Sequence, residues 1–220
     1  MKCKLYIVIP CYQEQEVLPH TARVLEEKMK KLMQNDKIAQ ESKIVFVNDG
    51  STDNTWDVIC QLHSKSELFQ GINLSRNRGH QNALLAGLMT VMENADADAI
   101  ISMDADLQDD VNAVDAMVEK YNDGFDVVYG VRSKRDTDTL LKTTTAEGFY
   151  KLMSFMGTDI VFNHADYRLM SRRAVEGLAG FREVNLFLRG IVPMIGYKSD
   201  IVYYERAERF AGESKYPLKK

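Results

Sequence analysis

Short apolar runs alternate with amphipathic helical patterns along the first 130 residues, and this alternation constrains the fold more than any other feature. Residues 5–9, LYIVI, form an unbroken run with β-branched members, which is typical of a strand buried on both faces. Apolar side chains then recur every three or four positions from Leu18 to Leu32, which predicts an amphipathic helix. Strands that alternate with helices form β-α-β units, so we predict an α/β fold with a mostly parallel sheet covered on both faces.

More strands and helices follow in the same region. Strands are predicted at residues 44–47, 71–74, 99–103 and 126–129, and helices at about 55–63, 83–91 and 111–121. Beyond Gly130 the pattern weakens. Here we expect a polar loop at 132–145, a helix at 145–155, a strand edge with two short helices between 167 and 196, and a last strand at 201–204. The chain has no internal repeat and no Gly/Ser linker, so we expect a single domain over residues 1–220.

Composition excludes several classes of function. The 28 basic and 32 acidic side chains give a net charge of −4, without the basic stripe of a nucleic-acid-binding protein. The three cysteines, Cys3, Cys11 and Cys60, match neither a disulfide framework nor a metal-ligand spacing, and we expect buried, reduced thiols. No signal peptide is visible, and no window approaches the roughly 18 apolar residues of a membrane span.

Polar segments follow the predicted strands at the end where each strand finishes. They read PCYQE after the first strand, NDGS after the second, SRNRGH after the third, DAD after the fourth and GVR after the fifth. In open parallel α/β sheets, ligands bind beyond the carboxyl ends of the strands. We therefore expect the binding site at this edge of the sheet.

The Asp-x-Asp pattern occurs three times, but only one copy lies at a strand's carboxyl end. The three copies are Asp96/Asp98, Asp104/Asp106 and Asp136/Asp138. In the second copy the two carboxylates can point the same way if the extended geometry persists. Magnesium is typically bound by one or two carboxylates, water and substrate phosphate oxygens, so Asp104 and Asp106 predict a metal-bound phosphate compound. The acidic side chains that follow, Asp109 and Asp110, are expected to cap the next helix.

The absence of two motifs narrows the class of phosphate compound that the site could bind. The sequence contains neither a dinucleotide fingerprint with glycines at i and i+2 nor the Gly-Lys-Ser/Thr of a P-loop. A nucleoside diphosphate bridged by a metal ion remains. Asp49 is placed to accept a hydrogen bond from a base or ribose, and Tyr12 and Glu14 to frame the same nucleoside.

The motifs VIPCYQE, VNDGSTDNT, SRNRGHQNALLAGL and MDADLQDD, in this order, resemble glycosyltransferase family 2 with the GT-A fold, a Rossmann-like α/β fold. The segments VVYGVRSKR, NHADYRLMSR and FLRGIVPMIGYKSDIVYYERAERFAGESKYPLKK resemble its polyprenyl-phosphate glycosyltransferases, which include the dolichol-phosphate mannose synthases. The resemblance covers essentially the whole chain. Two departures occur: Gln13 stands where the family usually has asparagine, and the two prolines expected after DLQ are missing.

The resemblance implies an inverting transfer of a sugar from a UDP- or GDP-sugar to a polyprenyl phosphate. It divides the domain into a nucleotide-sugar-binding half, residues 1–107, and an acceptor-binding half, residues 108–220. The nucleotide-sugar-binding residues it implies are Pro10, Tyr12, Glu14, Asp49, Asp104 and Ala105. The ligands it implies for Mg²⁺ or Mn²⁺ are Asp104, Asp106 and Gln108.

The resemblance also implies catalytic residues, Asp166 and Asp106. Asp166 stands where the family places its candidate base. An alcohol acceptor must lose a proton on attack, and a general base contributes about 10²–10⁴-fold to such a step. A phosphomonoester, with a second pKa near ~6, is already largely dianionic at neutral pH. Asp166 could therefore be a base, a group that positions others, or only the partner of Arg168 or another arginine.

An acceptor phosphate requires cations, and guanidinium groups match phosphate oxygens two at a time. The acceptor-phosphate residues we predict are Arg132, Arg135, Arg206 and Lys215, whereas His80 and His164 are expected to be scaffold residues. Members of this group commonly carry membrane helices after the GESKYPLKK segment. We therefore expect a chain cut before such helices, with a naturally soluble form, as in some mannose synthases, as the alternative. We also expect an enzyme at the cytoplasmic face of the membrane and a possible homo-oligomer.

Two other functions stay open at this point. One is a family 2 transferase that acts on a saccharide hydroxyl, in which Asp166 would be a true base. The other is a nucleotide-binding regulatory module without activity, against which the intact Asp104/Asp106 pair and Asp166 argue.

Overall fold

A computed structural model describes residues 2–133, 164–181 and 187–207 of the chain. The strands are β1 (Leu5–Cys11), β2 (Lys43–Asn48), β3 (Phe69–Asn73), β4 (Ala99–Ser102), β5 (Val127–Arg132), β6 (His164–Ser171) and β7 (Ser199–Tyr204). The helices are α1 (Leu18–Gln34), α2 (Thr55–Lys65), α3 (His80–Asn94), α4 (Ala113–Asn122), α5 (Arg172–Ala179) and α6 (Leu188–Met194). The predicted α/β class is confirmed.

The described strands form one seven-stranded sheet in the order β3-β2-β1-β4-β6-β5-β7. Every neighbouring pair is parallel except those of β6, which runs antiparallel to both β4 and β5. The prediction of a mostly parallel sheet is therefore confirmed. The sequence indicated only a strand edge near residue 167, whereas β6 is an eight-residue strand in the interior of the sheet.

Two apolar layers cover the two faces of this sheet. One packs β1, β2 and β4 against α1 and α4, and the other packs the opposite side chains of the same strands against α3, α5 and α6. All seven residues of β1 are buried, as its unbroken apolar run predicted. Helix α3 approaches the sheet closely at Gly87, where a Cβ atom would lie 2.4 Å from Val8 Cγ1 and 2.7 Å from Val47 Cγ2. This contact fixes the helix whose first residues reach the functional site.

The predicted bounds agree with the observed elements to within a few residues wherever the structure describes them. Most of the predicted loop at 132–145 and the whole predicted helix at 145–155 lie outside the described residues. Cys3 and Cys11 are buried as expected, but Cys60 is exposed on α2, so that expectation is wrong for one thiol. Among the described helices, none combines the length and the apolar character that crossing a bilayer requires.

Candidate active site

A cleft of about 820 Å³ opens at the carboxyl ends of β1 and β4, beside the first residues of α3. Ligand binding was predicted at this edge of the sheet. The predicted residues that line the cleft are Pro10, Tyr12, Glu14, Asp49, Asp104, Ala105, Asp106 and Asp166. The fold thus brings together residues that are up to 156 positions apart in the chain, from residue 10 to residue 166.

The loop after β1 is tied to the loop after β2. Gln13 has a positive φ of 54°, its backbone N–H donates to Ser51 Oγ at 3.0 Å, and its Nε2 donates to Thr52 Oγ1 at 3.1 Å. The backbone N–H of Glu14 donates to Thr55 Oγ1 at 2.9 Å, at the start of α2. The glutamine that departs from the family pattern therefore keeps an amide function in the wall of the cleft.

Asp49 is buried and organises the segment that leads into α3. Its Oδ1 accepts from the backbone N–H of Arg78 at 2.7 Å, and its Oδ2 accepts from that of Gly79 at 2.9 Å. Gly50 has a φ of +63° and packs so tightly against Arg76 that a Cβ atom would lie 2.3 Å from its carbonyl carbon. Asp49 thus shapes this wall of the cleft, and its role toward a nucleoside stays a prediction.

Asp104 and Asp106 follow β4 and are the two candidate metal ligands in the cleft. Burial raises the pKa of Asp104 to about 6, the nearby carboxylates of Asp109, Asp106 and Asp166 add to the rise, and His80 opposes it. The carbonyl oxygen of Ala105 accepts from Thr21 Oγ1 at 2.6 Å, which anchors this turn to α1. Burial and neighbouring carboxylates disfavour the negative charge of Asp104, and a divalent cation bound there would compensate it.

The third predicted metal ligand, Gln108, lies outside the described lining of the cleft. Its Oε1 accepts a hydrogen bond from Arg206 Nη2. Within residues 2–133, 164–181 and 187–207, no cluster of three or more His, Cys, Asp or Glu side chains is arranged to hold a metal ion. A cation bound by Asp104 and Asp106 would therefore take its remaining ligands from water and substrate phosphates.

Asp166 accepts hydrogen bonds from three side chains of the described residues. Its Oδ1 accepts from Arg168 Nη2 at 2.5 Å and Arg189 Nε at 3.3 Å. Its Oδ2 accepts from Gln81 Nε2 at 3.0 Å and Arg189 Nη2 at 3.1 Å. Burial acts to raise the pKa of Asp166, but His80 and the two guanidinium groups outweigh it and hold the pKa well below its usual range. The pairing with Arg168 that the sequence left open is observed, together with a second arginine.

His80 links this carboxylate to the metal-ligand pair. Its Nε2 lies 3.6 Å from Asp104 Oδ1 and 3.7 Å from Asp166 Oδ2. Burial acts to lower the pKa of His80, whereas Asp166 and Asp104 raise it, and the net direction is upward. His80 therefore contacts both carboxylates, and the scaffold role expected from the sequence stays a prediction.

Gln81 and Arg189 are two residues of the cleft that the sequence patterns did not predict. Gln81 is the second residue of α3, and nothing in the local sequence distinguishes its amide from others on helix surfaces. Arg189 does carry a signal, because it is the one charged residue in the apolar segment LFLRGIVPMIG. Both residues line the cleft and both bind Asp166.

Two of the predicted acceptor cations, Arg132 and Arg206, lie outside the described lining of the cleft, and their role toward an acceptor phosphate stays a prediction. Arg132 Nη2 lies 3.1 Å from Asp109 Oδ1, and Arg132 Nε donates to Tyr204 Oη at 3.2 Å, outside the described lining of the cleft. The expectation that Asp109 caps the next helix is wrong, because its buried carboxylate binds these two groups instead. Asp110 Oδ1 accepts from the Asn112 N–H at 2.8 Å in the turn before the helix, but the N-cap residue is Asn112, so the capping expectation is wrong for Asp110 as well. The other two predicted cations, Arg135 and Lys215, lie outside the described residues.

Solved structures of similar shape define the fold class as GT-A. A mannosyltransferase from Pyrobaculum calidifontis, in complex with GDP-Man and Mn²⁺, superposes with a TM-score of 0.59 at 18% identity, over 96% of this chain and 59% of that one. Mannosyl-3-phosphoglycerate synthase from Rubrobacter xylanophilus gives a TM-score of 0.62 at 13% identity, over 94% and 68% of the two chains.

The sequence comparison gives the family. The profile of glycosyl transferase family 2 matches residues 6–178, and the chain belongs to this family. It is 50% identical over 216 residues to the uncharacterized glycosyltransferase YkoT of Bacillus subtilis, which covers 98% of this chain and 64% of that relative. It is 41% identical over 217 residues to a prophage bactoprenol glucosyl transferase homolog of Escherichia coli, with 97% and 67% covered. The chain thus spans about two thirds of the length of these curated relatives.

Proposed function

We propose that this chain transfers a sugar, with inversion, from a nucleoside diphosphate sugar to the phosphate of a polyprenyl phosphate. Membership in glycosyl transferase family 2 and the 41% identity to proteins named bactoprenol glucosyl transferases support the proposal. The observation that carries the proposal concerns Asp166, the carboxylate at the position of the candidate base: both of its oxygens already accept hydrogen bonds, and its pKa is lowered.

A general base needs a carboxylate oxygen that can take up a proton near neutral pH. Both oxygens of Asp166 accept hydrogen bonds from cationic or amide groups, and its pKa is depressed. Such a carboxylate is a weak proton acceptor because protonation would cost it its pairing with two guanidinium groups. A phosphate acceptor is already ionised and needs no base, whereas a saccharide hydroxyl does need one. The site therefore favours the phosphate acceptor.

The donor half of the proposal rests on the carboxylates at the end of β4. Asp104 and Asp106 would hold Mg²⁺ or Mn²⁺, and this ion would supply Lewis-acid stabilisation of the leaving nucleoside diphosphate. Tyr12, Glu14 and Asp49 line the same cleft and are proposed to bind the nucleoside. Asp106 counts as catalytic in this scheme because it would bind the ion that contacts the reacting diphosphate.

The proposed acceptor also gives the place of action. A polyprenyl phosphate resides in a bilayer, so we propose that the working enzyme acts at the membrane, on its cytoplasmic face.

The proposal is tested with a panel of radiolabelled UDP- and GDP-sugars and a short-chain polyprenyl phosphate, with and without EDTA. We expect one donor to label the lipid phosphate, with the label lost in EDTA and restored by Mg²⁺ or Mn²⁺. The contrary result is label on a saccharide hydroxyl that resists base and phosphatase, with no label on the lipid phosphate. That result would identify a transferase that acts on a saccharide hydroxyl.

A further inference from the structure

The lining of the cleft, as far as the structure describes it, carries five carboxylates and one guanidinium group. Its acidic residues are Glu14, Asp49, Asp104, Asp106 and Asp166. Among the lining residues that the structure describes, Arg189 is the one lysine or arginine. A site for two phosphate-bearing substrates requires positive charge, and a divalent cation at Asp104 and Asp106 would serve only the donor. The position of Arg189 is therefore informative.

Arg189 contacts Asp166 through one edge of its guanidinium group. The Nε and Nη2 atoms make this contact, at 3.3 Å to Oδ1 and 3.1 Å to Oδ2. The two hydrogens of Nη1 lie outside this bidentate contact. The Arg189 side chain is 45% exposed, whereas that of Asp166 is 7% exposed. Arg189 can therefore keep its carboxylate partner and still offer N–H donors to a ligand in the cleft.

The start of α6, where Arg189 lies, is fixed from two sides. The backbone N–H of Leu188 donates to Gln81 Oε1 at 3.1 Å, and Arg168 Nη1 donates to the carbonyl oxygen of Leu188 at 3.3 Å. Gln81 and Arg168 also bind Asp166, so one carboxylate and the turn that carries Arg189 share the same two partners. This arrangement holds the guanidinium group in place before a substrate arrives, which reduces the entropic cost of binding.

An inverting displacement separates the two phosphate sites. The acceptor oxygen forms its bond to the anomeric carbon on the face opposite the bond to the diphosphate, and that bond breaks with its electron pair leaving on the nucleoside diphosphate. No proton is transferred when the acceptor is an ionised phosphate. The donor's diphosphate belongs at Asp104 and Asp106. Arg189 is separated from Asp104 by His80 and Asp166, through contacts of 3.6, 3.7 and 3.1 Å, so it suits the acceptor.

We propose that Arg189 binds the phosphate of the acceptor and that Asp166 is a positioning residue that orients Arg189 for this task. This inference rests on the proposed function and adds to it a binding residue that the family resemblance did not supply. It also gives Asp166 a role that does not require proton transfer.

The experiment measures initial rates against acceptor concentration at saturating donor, and against donor concentration at saturating acceptor. For Arg189→Gln we expect the acceptor KM to rise about 10–100-fold, as loss of a charge-assisted hydrogen bond implies, with the donor KM changed less than about twofold. Arg189→Lys keeps the positive charge but loses the two-pronged guanidinium geometry, so its acceptor KM should lie between those of the wild type and Arg189→Gln. Arg23→Gln is the matched control, because Arg23 is an exposed helical arginine outside the lining of the cleft.

The role of Asp166 is tested by a double-mutant cycle on kcat/KM for the acceptor. If Asp166 acts through Arg189, Asp166→Asn should cost much less in an Arg189→Gln background than in the wild type. Additive effects would overturn the positioning role. A merely structural role of Arg189 would lower the folded fraction and leave both KM values unchanged.

The possible failures are distinguishable. Wild-type transfer with an unchanged acceptor KM in Arg189→Gln would overturn this inference alone. A raised donor KM with an unchanged acceptor KM would assign Arg189 to the donor diphosphate. A wild-type protein that labels no polyprenyl phosphate would overturn the proposed function itself, before any variant is considered.

Discussion

Asp166 and Arg168 form a buried ion pair at the base of the cleft, with Oδ1 2.5 Å from Nη2 and only 7% and 1% of the two side chains exposed. The pair lies within β6, two residues apart on one face of the strand. Arg168 has no other acidic partner within salt-bridge distance among the described residues. The carboxylate that faces the substrate cleft is therefore also a structural counter-ion.

Breaking this pair should destabilise the fold. Asp166→Asn leaves the Arg168 charge buried without a counter-ion, and we expect a loss of about 3–5 kcal/mol in the free energy of unfolding. For a protein of this size, the melting temperature should then fall by roughly 6–20 °C. Denaturant and thermal unfolding at neutral pH measure both quantities.

The control for this loss removes both charges. Asp166→Asn combined with Arg168→Met should recover most of the stability, because a buried pair replaced by apolar groups is often neutral. An equal loss in the double variant would mean that the cost comes from packing and not from the unpaired charge.

Donor binding should depend on the carboxylates at the end of β4. Asp104→Asn and Asp106→Asn should each weaken Mn²⁺-dependent binding of UDP or GDP by at least about 10–100-fold, because even the loss of a group that only hydrogen-bonds to a metal ligand has an effect of that size. Calorimetric titration of the nucleotide, with Mn²⁺ and with EDTA, measures the effect.

Asp96→Asn is the matched control for these variants. Asp96 belongs to another Asp-x-Asp copy, precedes β4 at the opposite end of the sheet, and pairs with Lys4 on the surface. Its substitution should leave nucleotide binding unchanged. A similar loss for Asp96→Asn would contradict the assignment of the metal site.

The stability contributed by Asp126 should depend on pH. Its carboxylate accepts from Arg173 Nη2 at 2.6 Å and from Ser171 Oγ at 2.8 Å, and these bonds lower its pKa below the ordinary 3.8, although burial acts to raise it. A lowered folded-state pKa stabilises the fold above the unfolded value, and this stability is lost as the pH falls through the folded pKa. Because Arg173 is 63% exposed, solvent weakens the pair, and we expect only a small contribution to the free energy of unfolding.

Unfolding measured from pH 7 down to pH 3 tests this prediction. Asp126→Asn should lower the free energy of unfolding most near pH 7, and the difference in this free energy between variant and wild type should shrink below about pH 4. Asp123→Asn, at an exposed position three residues earlier, should show little difference at any pH. A cost that stays constant with pH would show that the charge of Asp126 is not responsible.

Gln81 should matter for transfer more than its helical neighbour does. Gln81→Leu removes the bonds to Asp166 Oδ2 and to the Leu188 N–H, which are worth about 1–3 kcal/mol if left unsatisfied. We expect kcat/KM for the acceptor to fall about tenfold or more, because the turn that carries Arg189 loses one anchor. Asn82→Ala removes only a bond to the Arg78 carbonyl oxygen and should have a much smaller effect. Equal effects would argue against this anchor.

The spacing of apolar and polar residues along the chain was sufficient to predict the strands and helices of the first 130 residues. It also predicted which edge of the sheet carries the site. The apolar run at residues 5–9 predicted β1, and the stripe from Leu18 to Leu32 predicted α1, because burial on one or two faces leaves a period in the sequence. The same reasoning placed Asp104 and Asp106 at the end of a strand. The family motifs added Asp166.

The tertiary structure alone decided how the second half of the chain completes the site. Strand β6 inserts antiparallel between β4 and β5, and this brings Asp166 to Gln81, 85 residues earlier, and Gln81 to Leu188, 107 residues later. Such contacts leave no period in the local sequence, because the energy that selects them comes from pairing distant strands and from neutralising a buried carboxylate. A single arginine in an apolar segment therefore acquires its place in the cleft only when the chain is folded.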